Sequence, residues 1–335
     1  MVLNLEINFG MSEFDIPNNS IIFGTARSIK EISTYSIPSD CEVWIRKSGY
    51  PTTEEVSEIS ASIRNSNKDF HSVVGIGGGS TIDLSKVIST FISENEGICR
   101  LLMIPTNIGS GAEITNFATI WDFNSGQKLS KIVPDKIHRS VFYNFGYFLE
   151  VHRTDALIGA LDALAHAYDS FYSGQADSST RQMAREAIIE LNDLLSTGFE
   201  FWPNELLISK FHNATILAAF CINKTKTSLS HGLSYGLTLH LGIPHGIAVG
   251  LVLREYLTAF APSLAEEMSQ AILEDSLRNL DFVLTKILKE KYSKIAVDKI
   301  EEAIDWGRVN NFLPIVTKEE CLILLRSALN RIAQD

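Results

Sequence analysis

Residues 71–92 read HSVVGIGGGSTIDLSKVISTFI, and their order decides the fold class. SVVGI is an apolar run suited to a strand buried on both faces, as strands of a parallel sheet are. Gly77, Gly78 and Gly79 follow, then Ser80 and a helical pattern opened by Thr81. A strand, a glycine turn and a helix N-terminus together make a natural phosphate cradle, because backbone N–H groups and the positive end of the helix dipole meet there. The same pattern also serves a tight strand–helix turn that binds nothing. Ser80 stands where the dinucleotide fingerprint GxGxxG would carry its last glycine, and no GK[ST] follows, so neither that fingerprint nor an ordinary P-loop is complete.

Outward from this stretch the texture repeats. Ile21–Gly24, Glu42–Ile45 and Leu101–Ile104 read as strands. A helix is predicted after Thr53, its N-cap, with acids in the first turn and Val56, Ile59 and Ile63 on one apolar face. Pro105–Asp122, PTNIGSGAEITNFATIWD, is a second Gly- and Thr-rich segment following a strand. Strands alternating with helices to about residue 150 predict an α/β domain with a mostly parallel sheet. From about Thr154 long helical patterns take over, as at 178–199 and 263–291, and strand signals nearly vanish. The expected organisation is an α/β domain with a mostly parallel sheet over 1–150 followed by an all-α domain over 151–335.

Two helical stretches carry metal-ligand chemistry. Ser228–Gly246, SLSHGLSYGLTLHLGIPHG, holds His231, His240 and His245 in apolar surroundings, with Gly242, Pro244 and Gly246 supplying a turn. His231 and His245 can converge across that turn. Ala160–Phe171, ALDALAHAYDSF, places Asp162 and His166 at i and i+4, on one helix face. An amphipathic helix can carry such a pair without a metal. Here the flanking Leu and Ala imply burial, and a buried carboxylate is costly unless paired or bound to metal. Asp162, His166, His231 and His245 together offer one oxygen and three nitrogens, which suits Fe²⁺ or Zn²⁺. His240 and His212 are assigned to structure.

Composition bounds the rest. Across 335 residues, 45% are hydrophobic and 21% charged, as in an ordinary globular protein. The net charge of −11, with dispersed acids, argues against nucleic acid as a partner. No apolar run reaches the roughly eighteen residues of a membrane helix, and the first residues lack a basic n-region, so neither membrane span nor secretory signal is expected. Cys41, Cys99, Cys221 and Cys321 match no CxxC spacing and read as reduced thiols of a cytoplasmic protein.

Several motifs, in order, resemble the iron-containing (group III) alcohol dehydrogenases. GGGSTIDLSK looks like that family's GGGSxxDxxK cofactor loop, PTNIGSGAEIT like its PTTxGTGSEVT segment, and DALAH like its DAxxH metal motif. HGLSYGLTLHLGIPHG is similar to the region holding its other two metal histidines, and VNNFLPIVTKEECLILL to its closing segment. The resemblance covers roughly residues 20–335. It implies hydride transfer between NAD or NADP and a small aldehyde or alcohol, with Asp162, His166, His231 and His245 on Fe²⁺ or Zn²⁺. It also implies cofactor contacts at Gly77, Gly78, Gly79, Ser80 and Asp83, supported by Thr106 and Ser110.

FATIWD, HAYDSFYSGQADSSTRQMAREAI and INKTKTSLSHGLSYGLT look like one branch, the hydroxyethylphosphonate dehydrogenases, which are phosphonoacetaldehyde reductases. That likeness makes Lys226, with Arg181 or Lys224, a partner for a phosphonate. A sugar-aldehyde or sugar-phosphate oxidoreductase and a non-catalytic member are the alternatives. The chain departs from the pattern in four places. One βα unit is missing between Gly24 and Pro51, GTGSE appears as GSGAE, and SVFYN at 140–144 replaces a Pro…Asp-Pro signature. Tyr235 stands where many members have a histidine one turn after His231; it is the candidate proton relay. The expected partner is a small aldehyde or alcohol, and a homodimer is compatible with the chain.

Overall fold

The computed structural model describes residues 5–9, 15–32, 37–47, 49–66, 68–97, 99–264, 267–288, 297–313 and 315–332. They form two compact units: Met1–Ile108 with Ala112–Val151, and Gly109–Gly111 with His152–Asp335.

The first unit is built on a parallel sheet. Strands β1 (Leu5–Phe9), β2 (Ser20–Thr25), β3 (Glu42–Arg46), β4 (Ser72–Gly77), β5 (Arg100–Pro105) and, after a hairpin, β8 (His138–Tyr143) lie in the order β1-β8-β5-β4-β2-β3. Every pairing in that sheet is parallel. All six residues of β4 are buried, as its position between β2 and β5 requires. From β2 the chain runs outward to β3 through α1 (Ala26–Ile32), then returns through α2 (Thr53–Asn65) to β4 on the other side of β2. The strand order therefore reverses between β2 and β4. In open α/β sheets that reversal opens the crevice where ligands bind, beyond the strands' C-terminal ends. One strand, β3, stands between β2 and β4 among the described residues.

Helix α3 (Gly79–Glu96) starts directly after β4, two residues earlier than the pattern from Thr81 implied. Helix α2 takes Thr52 rather than Thr53 as its N-cap: the Thr52 side chain accepts from Glu55 N at 3.1 Å. The antiparallel hairpin β6 (Phe117–Asp122) and β7 (Gln127–Ile132) packs on α3, with Ala118 and Ile120 beside Val87. The short α4 (Phe145–Leu149) follows β8.

The second unit is helical. Helix α5 (Arg153–Phe171) is its axis and is buried at nearly every position from Ala156 to Phe171. Around it pack α6 (Ser178–Ser196), α7 (Glu205–Thr225), α8 (Leu229–Leu241) and α9 (His245–Leu264). Asp177 caps α6 and Asn204 caps α7, each accepting a backbone N–H three residues on at 2.9 Å. Helix α7 is long and apolar enough to cross a membrane, with a mean hydropathy of 1.3, yet half of that window is buried among its neighbours. The pattern at 263–291 divides between the end of α9 and α10 (Gln270–Ile287), and its last residues lie outside the described ones. The short α11 (Val297–Glu302) and α12 (Trp306–Val309) lie on α8, and α13 (Lys318–Ile332) packs on α9. Gly109–Gly111 joins this unit through close contact: a Cβ on Gly109 would stand 2.3 Å from Gly159 Cα in α5.

Candidate functional site

Asp162, His166 and Asp169 sit at i, i+4 and i+7 of α5, so one face of a buried helix carries two carboxylates and an imidazole. His231 lies in the first turn of α8 and His245 is the first residue of α9. The link between these two helices closes with Gly242 in the left-handed conformation (φ 67°), so α9 returns alongside α5. Close approach is possible because position 246 has no side chain. A Cβ there would meet Ile158 O at 2.1 Å, one turn before Asp162.

The four side chains converge. Asp162 Oδ1 lies 3.4 Å from His231 Nε2, 3.6 Å from His166 Nε2 and 4.0 Å from His245 Nε2. The His166 and His231 rings stack at 4.7 Å, and His245 stands edge-on to His231 at 5.3 Å. Donor atoms of Asp162, His166 and His231 all fall within 4.8 Å of one another. Tetrahedral ligands about 2.1 Å from an ion are about 3.4 Å apart, so three of these residues have the spacing a metal needs and His245 lies slightly outside it. Asp162 Oδ1 and His231 Nε2 are buried and make no hydrogen bond, which leaves the donor set suited to a shared cation. Burial alone would raise the Asp162 pKa. The His166, His231 and His245 imidazoles outweigh it and hold the carboxylate below its ordinary range.

Asp169 is a participant that sequence reasoning missed, although its i+7 spacing from Asp162 was the available signal. It is fully buried, and its Oδ2 accepts from His231 Nδ1 at 2.8 Å. Ser228 N (2.7 Å), Ser230 N (3.1 Å) and Ser230 Oγ (2.7 Å) also donate to this carboxylate. His231 therefore carries a proton on Nδ1 and turns Nε2 toward Asp162, the arrangement by which a carboxylate orients a metal-ligating histidine. Burial pulls the His231 pKa down, but the Asp162 and Asp169 carboxylates more than offset it and raise it to about 9.

Tyr235 is buried one turn along α8, its ring stacked 6.0 Å from that of His245. Lys226 is half-buried at the end of α7. Arg181 and Lys224 are committed elsewhere: Arg181 bonds the Phe171 carbonyl and Glu267 at 2.6 Å each, and Lys224 pairs with Asp177. His212 is buried on α7, which lowers its pKa to about 4, and His240 lies in the last turn of α8.

In the first unit, Gly77 ends β4 and Gly78 precedes α3, whose N-terminus has no side-chain cap. Gly79 and Ser80 form the first turn and are partly exposed. A Cβ on Gly77 would lie 2.6 Å from Thr81 Oγ1. Thr106 N donates to Gly77 O at 3.0 Å, tying the end of β5 to the turn. Asp83 is held inside the unit: its Oδ2 accepts from Thr119 N at 2.9 Å, and its Oδ1 lies 3.5 Å from Lys86 Nζ. That carboxylate joins α3 to β6. Ser110 belongs to the helical unit.

Profiles of known families match both units, "Iron-containing alcohol dehydrogenase" over residues 23–142 and "Fe-containing alcohol dehydrogenase family, C-terminal" over 156–310. The chain belongs to the iron-containing alcohol dehydrogenase family. Within this family it is 29% identical over 168 residues to 1-propanol dehydrogenase PduQ of Salmonella typhimurium, a match covering 48% of this chain and 44% of that one. The chain thus spans less than half the length of that relative. An iron-containing alcohol dehydrogenase from Thermotoga maritima has the same fold, with a TM-score of 0.79 at 23% identity over 98% of this chain and 99% of that one. Sulfoacetaldehyde reductase from Bifidobacterium kashiwanohense, solved with NAD⁺, aligns with a TM-score of 0.78 at 17% identity over 99% and 98% of the two chains.

Proposed function

We propose that this iron-containing alcohol dehydrogenase family member is a metal-dependent oxidoreductase that uses NADH or NADPH to reduce a small aldehyde to its alcohol. The observation that carries the reading is the pair Asp162 Oδ1 and His231 Nε2, buried and without hydrogen bonds, beside His166 and His245. Asp162, His166, His231 and His245 would hold Fe²⁺ or Zn²⁺. A bound divalent ion supplies Lewis acidity toward a carbonyl oxygen, and a nicotinamide supplies the hydride. The chain's own residues do the rest. Asp169 orients His231, Tyr235 lies beside His245 as the candidate proton relay, and the turn at Gly77, Gly78, Gly79 and Ser80 would seat the cofactor's pyrophosphate at the uncapped start of α3. Thr106 supports that turn through its bond to Gly77, and Ser110 is assigned a supporting role toward the cofactor.

The favoured substrate is phosphonoacetaldehyde, reduced to 2-hydroxyethylphosphonate, with Lys226 on the phosphonate. Sulfoacetaldehyde reductase, which shares the fold, is named for an aldehyde with an anionic tail. The test is an NADH and NADPH oxidation assay on Fe²⁺- and Zn²⁺-loaded protein against phosphonoacetaldehyde, propionaldehyde, succinic semialdehyde and glyceraldehyde. The reading expects the highest kcat/KM with phosphonoacetaldehyde. Oxidation of neither nicotinamide with any aldehyde ends the enzyme reading, and preference for an uncharged aldehyde ends the phosphonate reading alone.

A further inference from the structure

Asn311 grips the turn between α7 and α8 from outside both helices. It follows α12, and its Nδ2 donates to Thr225 O at 2.8 Å and to Thr227 O at 3.2 Å, the carbonyls that flank Lys226. Its Oδ1 accepts from Ser173 Oγ at 2.9 Å and from Gln175 Nε2 at 3.3 Å, just past the end of α5. Backbone bonds run alongside: Gly174 N donates to Asn311 O at 2.9 Å, and Leu313 N to Tyr172 O at 2.7 Å. Acceptors on one side and donors on the other leave the amide a single orientation. One side chain thus ties the α7–α8 turn to the helix that carries Asp162, His166 and Asp169.

The turn needs such a grip. Lys226 has φ +63°, a left-handed backbone that is strained for any residue with a Cβ and persists only where its surroundings hold it. The peptide that follows connects the grip to the site. Its C=O, on Thr227, accepts from Asn311, and its N–H, on Ser228, donates to Asp169 Oδ2 at 2.7 Å. The same oxygen accepts from His231 Nδ1 at 2.8 Å. A continuous row therefore runs from the Asn311 amide through the 227–228 peptide and Asp169 to the His231 ring. Hydrogen bonds in series polarise and strengthen one another, most of all away from water, and Thr227, Ser228, Asp169 and His231 are all buried. Any relaxation of the turn moves Ser228 N first. Asp169 then loses a donor and is free to rotate, and the acceptor that orients His231 turns with it.

We propose that Asn311 is a positioning residue for the metal site, setting the orientation of His231 through the 227–228 peptide and Asp169 without touching metal or substrate. This rests on the reading of Asp162, His166, His231 and His245 as metal ligands.

The experiment compares Zn²⁺-loaded wild type with Asn311→Ala and with the double variant Asn311→Ala/Lys226→Gly, since glycine takes a left-handed backbone unaided. Protein labelled with ¹⁵N-histidine gives the first readout, the His231 Nδ1–H resonance, assigned by its absence from His231→Ala. Competition with a chromogenic chelator gives the second, the Kd for Zn²⁺. In wild type the proton lies far downfield and exchanges slowly. In Asn311→Ala it moves upfield and exchanges faster, and the Kd rises about tenfold, as for loss of an outer-shell partner. The double variant recovers part of both. A lower Tm in Asn311→Ala with both readouts at their wild-type values overturns the proposal, because the amide then only stabilises the fold. Losses in Asn311→Ala that Lys226→Gly leaves untouched overturn it too, because the strained turn is then not the link. If wild type binds no Zn²⁺, the metal reading falls and this proposal with it. If loaded wild type reduces no aldehyde, the oxidoreductase reading alone falls. Should Asn311→Ala fail to fold, the double variant carries both readouts, shifted the same way by less.

Discussion

His231 Nδ1 donates to Asp169 Oδ2 at 2.8 Å, and this bond selects which nitrogen of His231 faces Asp162. Asp169→Asn keeps the size of the side chain but replaces one acceptor with a donor. The amide nitrogen then opposes either His231 Nδ1–H and Ser228 N–H, which share one oxygen, or the two Ser230 donors on the other. Affinity for Fe²⁺ or Zn²⁺ is expected to fall about ten- to a hundredfold. Competition with a chromogenic chelator measures it, and an unchanged affinity would remove Asp169 from this role.

Metal should stabilise the helical unit, because the folded chain presents the donors together and the unfolded chain does not. At a free ion concentration about a hundred times Kd, the gain is about 2.7 kcal/mol. Wild-type Tm is expected to rise on adding Fe²⁺ or Zn²⁺ and to fall back with a chelator. His166→Ala and His231→Ala should show neither response.

The fold was legible where local patterns are self-sufficient. The runs at 21–24, 72–76 and 101–104 each became a strand, since strands inside a parallel sheet must be largely apolar, and the alternating run at 42–45 became the half-exposed edge strand β3. Other elements depend on distant partners. Leu5–Phe9 pairs with His138–Tyr143 across more than half the unit, and no local signal announces that. SVFYN stood out only as a departure from a family pattern, yet most of it is β8, the strand between β1 and β5. β7, QKLSKI, is largely solvent-facing and has no apolar alternation to read. At the site, Asp162, His166, His231 and His245 were legible from spacing and apolar flanks. Asp169 looked like one more polar residue on α5 because its partners come from the start of α8. The commitment of Asp83 to Thr119 and Lys86 was equally hidden, since only the folded hairpin brings residue 119 to α3.

Lys86 is buried on α3, donating to Phe117 O at 2.7 Å and Thr115 Oγ1 at 3.0 Å beside Asp83. Burial, more than the Asp83 charge can restore, lowers its pKa to about 8. Between that value and its ordinary one the unfolded chain binds more protons than the folded one, so stability rises with pH through this window. Urea midpoints at pH 7.5, 8.5 and 9.5 should climb. Lys86→Met removes the climb and costs on the order of 3 kcal/mol, because Asp83 stays buried without its counter-charge. The double variant with Asp83→Asn should be less damaged than Lys86→Met alone.

Gly246 offers a way to move one proposed ligand while leaving the other three in place. Position 246 lies in the first turn of α9 against Ile158 O, at a separation that leaves no room for a methyl group. Gly246→Ala must lift the start of α9 from α5. The cost is the one to three kcal/mol usual for overpacking, about the same order whether or not metal is present. Asp162 and His166 ride on α5 and His231 is held by Asp169, so none of these shifts with α9. His245, already the most distant from Asp162 Oδ1 at 4.0 Å, is the one carried away. Cobalt-loaded Gly246→Ala is therefore expected to keep a bound ion with weaker affinity and an altered visible absorption band, as one imidazole gives way to water. The single variant His245→Ala should reproduce the spectrum without the loss of stability. A cobalt spectrum in Gly246→Ala identical to that of wild type would mean that His245 is not a ligand.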